Sequence, residues 1–185
     1  MTANKHFKRR VRERARRTGE SYTAALRHLR RMDVREQPMS WQRIEKPQFG
    51  YAVQVPEDWD ERPPNLKNSP WETARFGQRT DRRHSLIVFR SPNRRARSAG
   101  DLASTAQTSL ENSGFTDFRI SEARVGGREG SLLECALHDA GRVWAVREYF
   151  VALDGVHFCL GLGSSVPEED AALFGEIVDR FEILA

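Results

Sequence analysis

The clearest structural signal in this chain is the stretch FGYAVQVP at residues 49–56. In it Tyr51, Val53 and Val55 alternate with other residues, so their side chains share one face of a predicted β-strand. The closing proline ends the strand because it has no amide hydrogen to donate to a neighbouring strand. From residue 41 onward this period of two predicts a body built mainly from β-structure.

Further strands are predicted from apolar runs on the C-terminal side of this stretch. Directly after this stretch, residues 57–70 are expected to form a loop, since they are rich in proline and asparagine. The predicted strands then occupy residues 71–76, 85–90, 118–125, 130–138, 142–153 and 156–162. Short turns that contain glycine join the last four, so we expect these strands to form an antiparallel meander.

A helix is predicted between the strands at 85–90 and 118–125. Ser98 followed by Asp101 three residues later is a capping-box pattern, which marks the start of a helix. Leu102, Ala106 and Leu110 then recur at helical spacing and form its buried stripe.

A second helix is predicted near the C-terminus. Ser165 with Glu168 three residues on is again a capping pattern, and Pro167 fits the first helical turn. The predicted buried face consists of Leu173, Phe174, Ile177, Val178 and Phe181. Strands, helix, strands and helix in this order predict an α+β fold, with two helices packed on an antiparallel sheet.

The body resembles the PsbP/Mog superfamily of α+β domains. The residues that carry this resemblance are the aromatic-rich strand at 50–56, its closing proline, and Trp59 in the segment that follows. The order of elements over residues 41–185 agrees with it as well. The resemblance implies an antiparallel sheet with packed helices, a protein-binding role and no shared catalytic residues.

The charge of the chain is divided unevenly between its two parts. The first 36 residues contain twelve basic and four acidic residues, a formal charge of +8, whereas the rest contains 18 basic and 22 acidic residues. The remainder therefore carries −4. Such a split is typical of a polyanion-binding appendage on a separately folded domain. We therefore predict a basic arm at 1–36, a linker at 37–40 and the PsbP/Mog-like domain at 41–185.

The arm is predicted to be a helical hairpin. Phe7, Val11 and Ala15 form one narrow apolar stripe, and Ser21 caps a second helix in which Tyr22, Leu26, Leu29 and Ala25 share a face. Residues 11–25 resemble the two-helix part of ribbon-helix-helix antitoxins. Those proteins read DNA with a β-ribbon that precedes the first helix, whereas residues 1–7 here do not alternate. Sequence-specific DNA recognition is therefore not expected.

The basic side chains of the arm are the candidate nucleic-acid-binding residues. Arginine predominates among them, and its guanidinium group binds phosphate oxygens through two parallel hydrogen bonds. The candidates are Lys5, Lys8, Arg9, Arg10, Arg12, Arg14, Arg16, Arg17, Arg27, Arg30 and Arg31. Three alternatives remain open: a helix docked on the acidic body, contact with an acidic protein or membrane surface, and self-association of the arm into a homodimer.

Two tryptophans in the body are candidate partner-binding residues. They are Trp59 and Trp71, since these two and Trp144 are not all expected to lie in the interior. Trp59 lies in a segment with several prolines, where its ring is expected to line a groove for a peptide or a stacked base. The alternative is that Trp59 fastens its loop to the sheet. Arginine clusters at 79–83 and 94–97 bracket one strand and are predicted to lie at opposite ends of the sheet.

The sequence shows no pattern typical of an enzyme or a metal site. His84, His138 and His157 lack ligand spacing, and Ser164 with Ser165 is interpreted as a strand-to-helix turn. We expect no cofactor. No apolar run reaches the roughly 20 residues that cross a bilayer. Two cysteines in apolar strands are expected to be reduced and buried, which favours a cytoplasmic location.

Overall fold

The computed structural model describes residues 3–19, 21–26, 39–80 and 83–184 of the chain. The chain divides into two compact units, Met1–Ser40 and Trp41–Ala185. The predicted boundary between arm and linker lies outside the described residues.

The arm begins with helix α1 (Ala3–Thr18). Residues 3–7 belong to this helix and not to a ribbon. Gly19 then adopts a left-handed conformation with φ of 72°, and residues 22–26 are again helical. The hydroxyl of Ser21 accepts a hydrogen bond from the amide of Ala24 at 3.2 Å, which confirms Ser21 as the cap.

A small apolar cluster lies within the arm. Val11 and Ala25 are fully buried, and Ala15 and Leu26 pack against them. Tyr22 was expected on the same face, but its ring is 41% exposed. The buried stripe of the second helical segment therefore begins at Ala25.

The body contains ten strands among its described residues. They are β1 (Trp41–Lys46), β2 (Tyr51–Pro56), β3 (Trp59–Arg62), β4 (Glu72–Gln78), β5 (His84–Asn93), β6 (Thr116–Val125), β7 (Arg128–Asp139), β8 (Arg142–Ala152), β9 (Gly155–Ser164) and β10 (Glu182–Ile183). Seven form one antiparallel sheet in the order β3-β4-β5-β9-β8-β7-β6. The predicted meander is confirmed, because β6 to β9 pair with their neighbours in sequence.

A second, three-stranded sheet has the order β1-β2-β10 and was not predicted. Strand β2 is its centre, and Ala52 lies opposite both Glu45 of β1 and Glu182 of β10. The stretch that opens the body therefore pairs with the last residues of the chain. A short 3-10 helix, Pro47–Phe49, joins β1 to β2.

Helices α2 (Ala99–Glu111) and α3 (Pro167–Asp179) lie on opposite faces of the large sheet. Helix α3 and strand β2 cover one face and enclose the main core with Leu86, Val88, Tyr149, Phe158, Leu160 and Leu162. Helix α2 covers part of the other face, where Leu102 packs with Leu133 and Phe150. The predicted α+β fold with two packed helices is thus confirmed.

The two helix starts differ from each other. At α2 the predicted capping box is present, because Ser98 and Asp101 exchange hydrogen bonds between side chain and backbone. At α3 the predicted cap is wrong: Val166 occupies the cap position, and the hydroxyl of Ser165 donates to the carbonyl of Arg83 at 3.4 Å. Pro167 does occupy the first turn.

None of the helices in the described part of the chain is long and apolar enough to cross a membrane. Both cysteines, Cys135 and Cys159, are free and buried, as the sequence predicts.

Candidate nucleic-acid interface

Helix α1 presents basic side chains on every face except the one that holds Val11. Six of them are exposed: Lys8, Arg9, Arg10, Arg12, Arg16 and Arg17. Arg14 is half-buried. Glu13 is the only acidic residue in the helix, and its ion pair with Arg9 at 3.8 Å joins two well-exposed side chains. Such a surface pair contributes little energy.

The charge density of α1 is close to that of a nucleic acid. Seven basic side chains lie within residues 8–17, which span about 15 Å of helix axis at 1.5 Å per residue. That is about one positive charge per 2 Å, against one negative charge per ~1.7 Å of duplex DNA. The helix therefore has the spacing needed to contact several phosphates at once.

Four of the predicted nucleic-acid-binding residues have no described side chain. They are Lys5, Arg27, Arg30 and Arg31. The first lies in α1, of whose residues 3–7 only the backbone is described, and the others follow the helical segment at 22–26.

The expectation that Trp59 is a partly exposed partner-binding residue is wrong. Trp59 begins strand β3, where the sequence predicted a loop, and its side chain is 2% exposed. The indole lies in the main core and stacks on the imidazole of His84, with ring centres 4.8 Å apart. Its backbone carbonyl accepts a hydrogen bond from the side-chain amide of Gln42. A buried ring in this position fastens the segment to the sheet.

Trp71 has the exposure expected of a partner-binding residue. It lies directly before β4, and 47% of its side chain is exposed. It lines an open basin with Arg94, Arg95, Arg97 and His157, which come from the loop after β5 and from strand β9. These residues are far apart in the sequence, and no sequence pattern predicts that they line one basin.

The other arginine cluster lies at the opposite end of β5, as predicted, but carries acidic partners. Arg79 forms a two-pronged ion pair with Asp60, with nitrogen–oxygen distances between 2.8 and 3.2 Å. Arg83 lies 3.8 Å from Glu169. Arg82 is outside the described residues. These pairs neutralise the charge of Arg79 and Arg83 locally.

The structure joins three residues that sequence reasoning kept apart. The hydroxyl of Ser164 donates to the carboxylate of Asp170 at 2.6 Å, and Nδ1 of His84 lies 3.2 Å from the same oxygen. All three side chains are buried. Burial alone would raise the pKa of Asp170, but the hydrogen bonds from His84 and Ser164 hold it below its usual value. Ser164 bonds to the carboxylate and not to the imidazole, so the arrangement is not a nucleophile–base pair.

Glu134 and Glu148 lie on opposite faces of the large sheet. Glu134 lies opposite Arg147 and forms an ion pair with it at 3.1 Å. Glu148 lies opposite Leu133, and therefore on the other face of the sheet. Burial raises the pKa of Glu148 to about 7.

Comparison with solved structures places the body among known folds. No protein-family model and no curated protein sequence matches the chain. Its structure is similar to the cyanobacterial PsbP protein (CyanoP) from Synechocystis sp. PCC 6803, with a TM-score of 0.65 and 15% sequence identity. That alignment covers 80% of this chain and 95% of CyanoP.

Two further structures are similar to the body. One is the Ran-binding protein Mog1p from Saccharomyces cerevisiae, with a TM-score of 0.57, 11% identity, and coverage of 80% of this chain and 97% of Mog1p. The other is LpqN of Mycobacterium tuberculosis, described as involved in cell envelope biogenesis. Its TM-score is 0.52 at 16% identity, over 82% of this chain and 95% of LpqN. The body therefore has the PsbP/Mog-like fold that the strand at 50–56 indicated.

Proposed function

We propose that this protein is a non-catalytic adaptor whose basic arm binds nucleic acid and whose body binds protein. The observation that carries the proposal is the set of six exposed basic side chains on α1. They give the helix a high density of positive charge, and arginine binds phosphate oxygens with two parallel hydrogen bonds. Contacts of this kind follow the backbone and do not depend on base sequence.

RNA or a ribonucleoprotein is the favoured partner of the arm. Sequence-specific binding of duplex DNA requires a helix or ribbon that presents base-reading side chains in a groove. Residues 3–7, where ribbon-helix-helix proteins have their base-reading ribbon, are helical here, which supports contact with the phosphate backbone. A cytoplasmic location is part of this proposal and agrees with two free, buried thiols.

Protein binding by the body is supported by the likeness to Mog1p, which is named for binding Ran. At 11% identity the shared feature is the fold, so the partner of this chain is not carried over. Trp71 remains the proposed contact residue on the body, since its ring is exposed.

The alternative function is a purely protein-binding adaptor. Its support is the net charge of −4 on residues 37–185, which complements the +8 of the arm. In this case the arm binds an acidic protein, or the acidic body of a second copy, and the protein forms a homodimer.

A charge-removal experiment separates the two functions. The triple variant Arg12→Ala, Arg16→Ala and Arg17→Ala removes three exposed charges and preserves helix propensity. Fluorescence anisotropy with a single-stranded RNA is measured over a range of salt concentrations. We expect the log–log salt slope to decrease in magnitude by about 2, at about 0.7 per lost phosphate contact.

The matched control removes three exposed arginines from the body, Arg119, Arg128 and Arg142, and leaves the arm intact. It should keep the slope of the unmodified protein. Equal losses in the two triple variants would show that only total charge matters, which contradicts a specific role for the arm. Tighter binding to polyglutamate than to RNA would favour the alternative.

A further inference from the structure

An open basin of about 600 Å³ lies at the end of strands β5 and β9. Trp71 lines it from the start of β4, Arg94, Arg95 and Arg97 from the loop that leads into α2, and His157 from β9. Three separate segments of the chain therefore meet there. Trp71 is the only one of these residues to which the proposed function gives a role, as a contact residue of the body.

The positive charge in the basin is not neutralised by its surroundings. None of the described residues that line it is acidic. Arg94 and Arg95 are exposed and have neither an ion pair nor a side-chain hydrogen bond within the described part of the body. Arg79, at the other end of β5, differs because it is paired with Asp60. The basin thus holds two guanidinium groups, those of Arg94 and Arg95, that are available to an anion.

The loop that carries the arginines is held in place. Asn93 is 4% exposed and exchanges two hydrogen bonds with the backbone of Arg97, at 2.9 and 3.0 Å. Between them Ala96 adopts a left-handed conformation with φ of 47°. The guanidinium of Arg97 donates to the hydroxyl of Thr105 at 3.2 Å. A fixed loop loses less conformational entropy when a ligand binds.

The basin also has an exposed aromatic surface. The carbonyl of Trp71 accepts a hydrogen bond from the amide of Arg90 at 2.9 Å, so its backbone is tied to β5. Almost half of the side chain is nevertheless exposed. An indole face of this kind binds planar, π-rich groups by stacking, and nucleic-acid bases are such groups and are joined to phosphates.

His157 provides a second, independent polar feature of the basin. Its Nδ1 is buried and has no hydrogen-bond partner among the described residues. Burial, and then the charge of Arg97, lower the pKa of His157. An anion bound in the basin would bring negative charge near the imidazole and raise the pKa of His157 again.

We propose that this basin binds a nucleotide, with the base stacked on Trp71 and the phosphate held by Arg94 and Arg95. Inorganic phosphate would not use the indole face, and an uncharged aromatic molecule would not use the arginines. The nucleotide can be free or part of a single strand, since the recognised chemistry is the same. The inference extends the proposed function to the body, and it does not depend on the arm.

The test uses the full-length protein and adenosine 5′-monophosphate as the probe. Binding is followed by NMR through the ring signals of His157, and through the indole signal that is lost in the Trp71→Phe variant. We expect a saturable shift of both signals and a rise in the pKa of His157. Adenosine and inorganic phosphate should each bind at least about tenfold more weakly, because each keeps only half of the contacts.

Three variants test the residues. Trp71→Ala and the double variant Arg94→Ala, Arg95→Ala should each weaken binding of the mononucleotide by about tenfold or more. Trp71→Phe should largely retain binding, because phenylalanine preserves a stacking surface. Arg119→Ala, which removes one exposed arginine from β6, should leave the affinity unchanged.

A parallel titration with a single-stranded oligoadenylate distinguishes the two sources of the nucleotide. Tighter binding of the oligonucleotide through the same signals would assign the basin to a single strand, and equal affinity would assign it to a free nucleotide. The triple arm variant keeps the basin, so it should still bind the mononucleotide even if the arm does not bind RNA.

The proposal would be overturned if neither probe moved the signals of Trp71 and His157. It would equally be overturned if the arginine and tryptophan variants bound as well as the unmodified protein. Movement of these signals by polyglutamate alone would assign the basin to an acidic protein instead.

Discussion

At the level of single residues, Trp59 and Trp71 show the difference between a core and a surface tryptophan. Its indole is 2% exposed, and its plane is inclined by 20° to the stacked imidazole of His84. Trp71, with 47% exposure, is its natural comparison. Trp59→Ala should lower the free energy of unfolding by about 3–5 kcal/mol, because it leaves a large cavity.

Urea denaturation of the Trp59→Ala and Trp71→Ala variants measures this difference. The Trp71 variant should lose less than about 1 kcal/mol, because a half-exposed ring has less burial to lose. Equal losses in the two variants would contradict this division between core and surface.

Asp170 provides a second prediction at the residue level, and it concerns acid stability. The pKa of Asp170 is lower in the folded protein, because hydrogen bonds from His84 and Ser164 outweigh the effect of burial. Its ionised form therefore stabilises the fold above the unfolded-state pKa of about 4. That contribution is lost as the pH falls through the folded-state value.

The variant Asp170→Asn should cost about 1.5–3 kcal/mol at pH 7. The difference from the unmodified protein should shrink as the pH falls below about 4. Urea denaturation of both proteins between pH 2 and 7, a range that spans the usual pKa of aspartate, measures this difference in the free energy of unfolding. Glu168→Gln, an exposed neighbour in the same helix, should have little effect at any pH. A constant difference across this range would contradict a role for the ionised carboxylate.

At the level of elements, replacing either of two glycines by alanine should change stability in opposite directions. A Cβ at Gly130 in β7 would overlap with the carbonyl oxygen of Phe150 in β8. The two strands pair directly beside it, at Ser131 and Phe150. Gly130→Ala should therefore force the strands apart and cost about 2–3 kcal/mol.

Gly175 lies inside α3, and a Cβ there would meet no atom within 4 Å. Gly175→Ala should stabilise the protein by about 0.5–1 kcal/mol, because alanine favours the helix. Thermal unfolding of both variants tests the pair. A stable Gly130→Ala protein would show that β7 and β8 can separate without loss.

Local patterns predicted the elements well where a single stretch of chain holds the information. The capping box at Ser98 and Asp101 and the apolar face of α3 are examples, since each lies within one or two helical turns. The predicted cap of α3 is wrong because the hydroxyl of Ser165 donates to the carbonyl of Arg83, which is distant in sequence, and the helix begins after Val166 without a side-chain cap. A tertiary contact therefore overrides the local capping signal.

At the level of the whole molecule, contacts between segments far apart in the chain could not be predicted from the sequence. Strand β10 has two residues, too few for a periodic signal. It pairs with β2, which lies near the start of the body. Strand β3 was hidden in a segment rich in proline. The basin unites Trp71 with the 94–97 loop and His157, which no spacing rule connects. The arm differs, because its charge is visible directly in the sequence.

Binding of nucleic acid by the basic arm is tested most directly by the affinity of the intact protein for nucleic acid at a series of salt concentrations. Six exposed basic residues on α1 predict a log–log slope of about −4 for single-stranded RNA and about −5 for duplex DNA. Deleting residues 1–36 should reduce the slope for single-stranded RNA to about −1.4 or less in magnitude, the share of the two basin arginines at about 0.7 per contact. The body should keep a cooperative unfolding transition. A flat affinity of the intact protein, or a slope of about −4 that survives the deletion, would contradict binding by the arm.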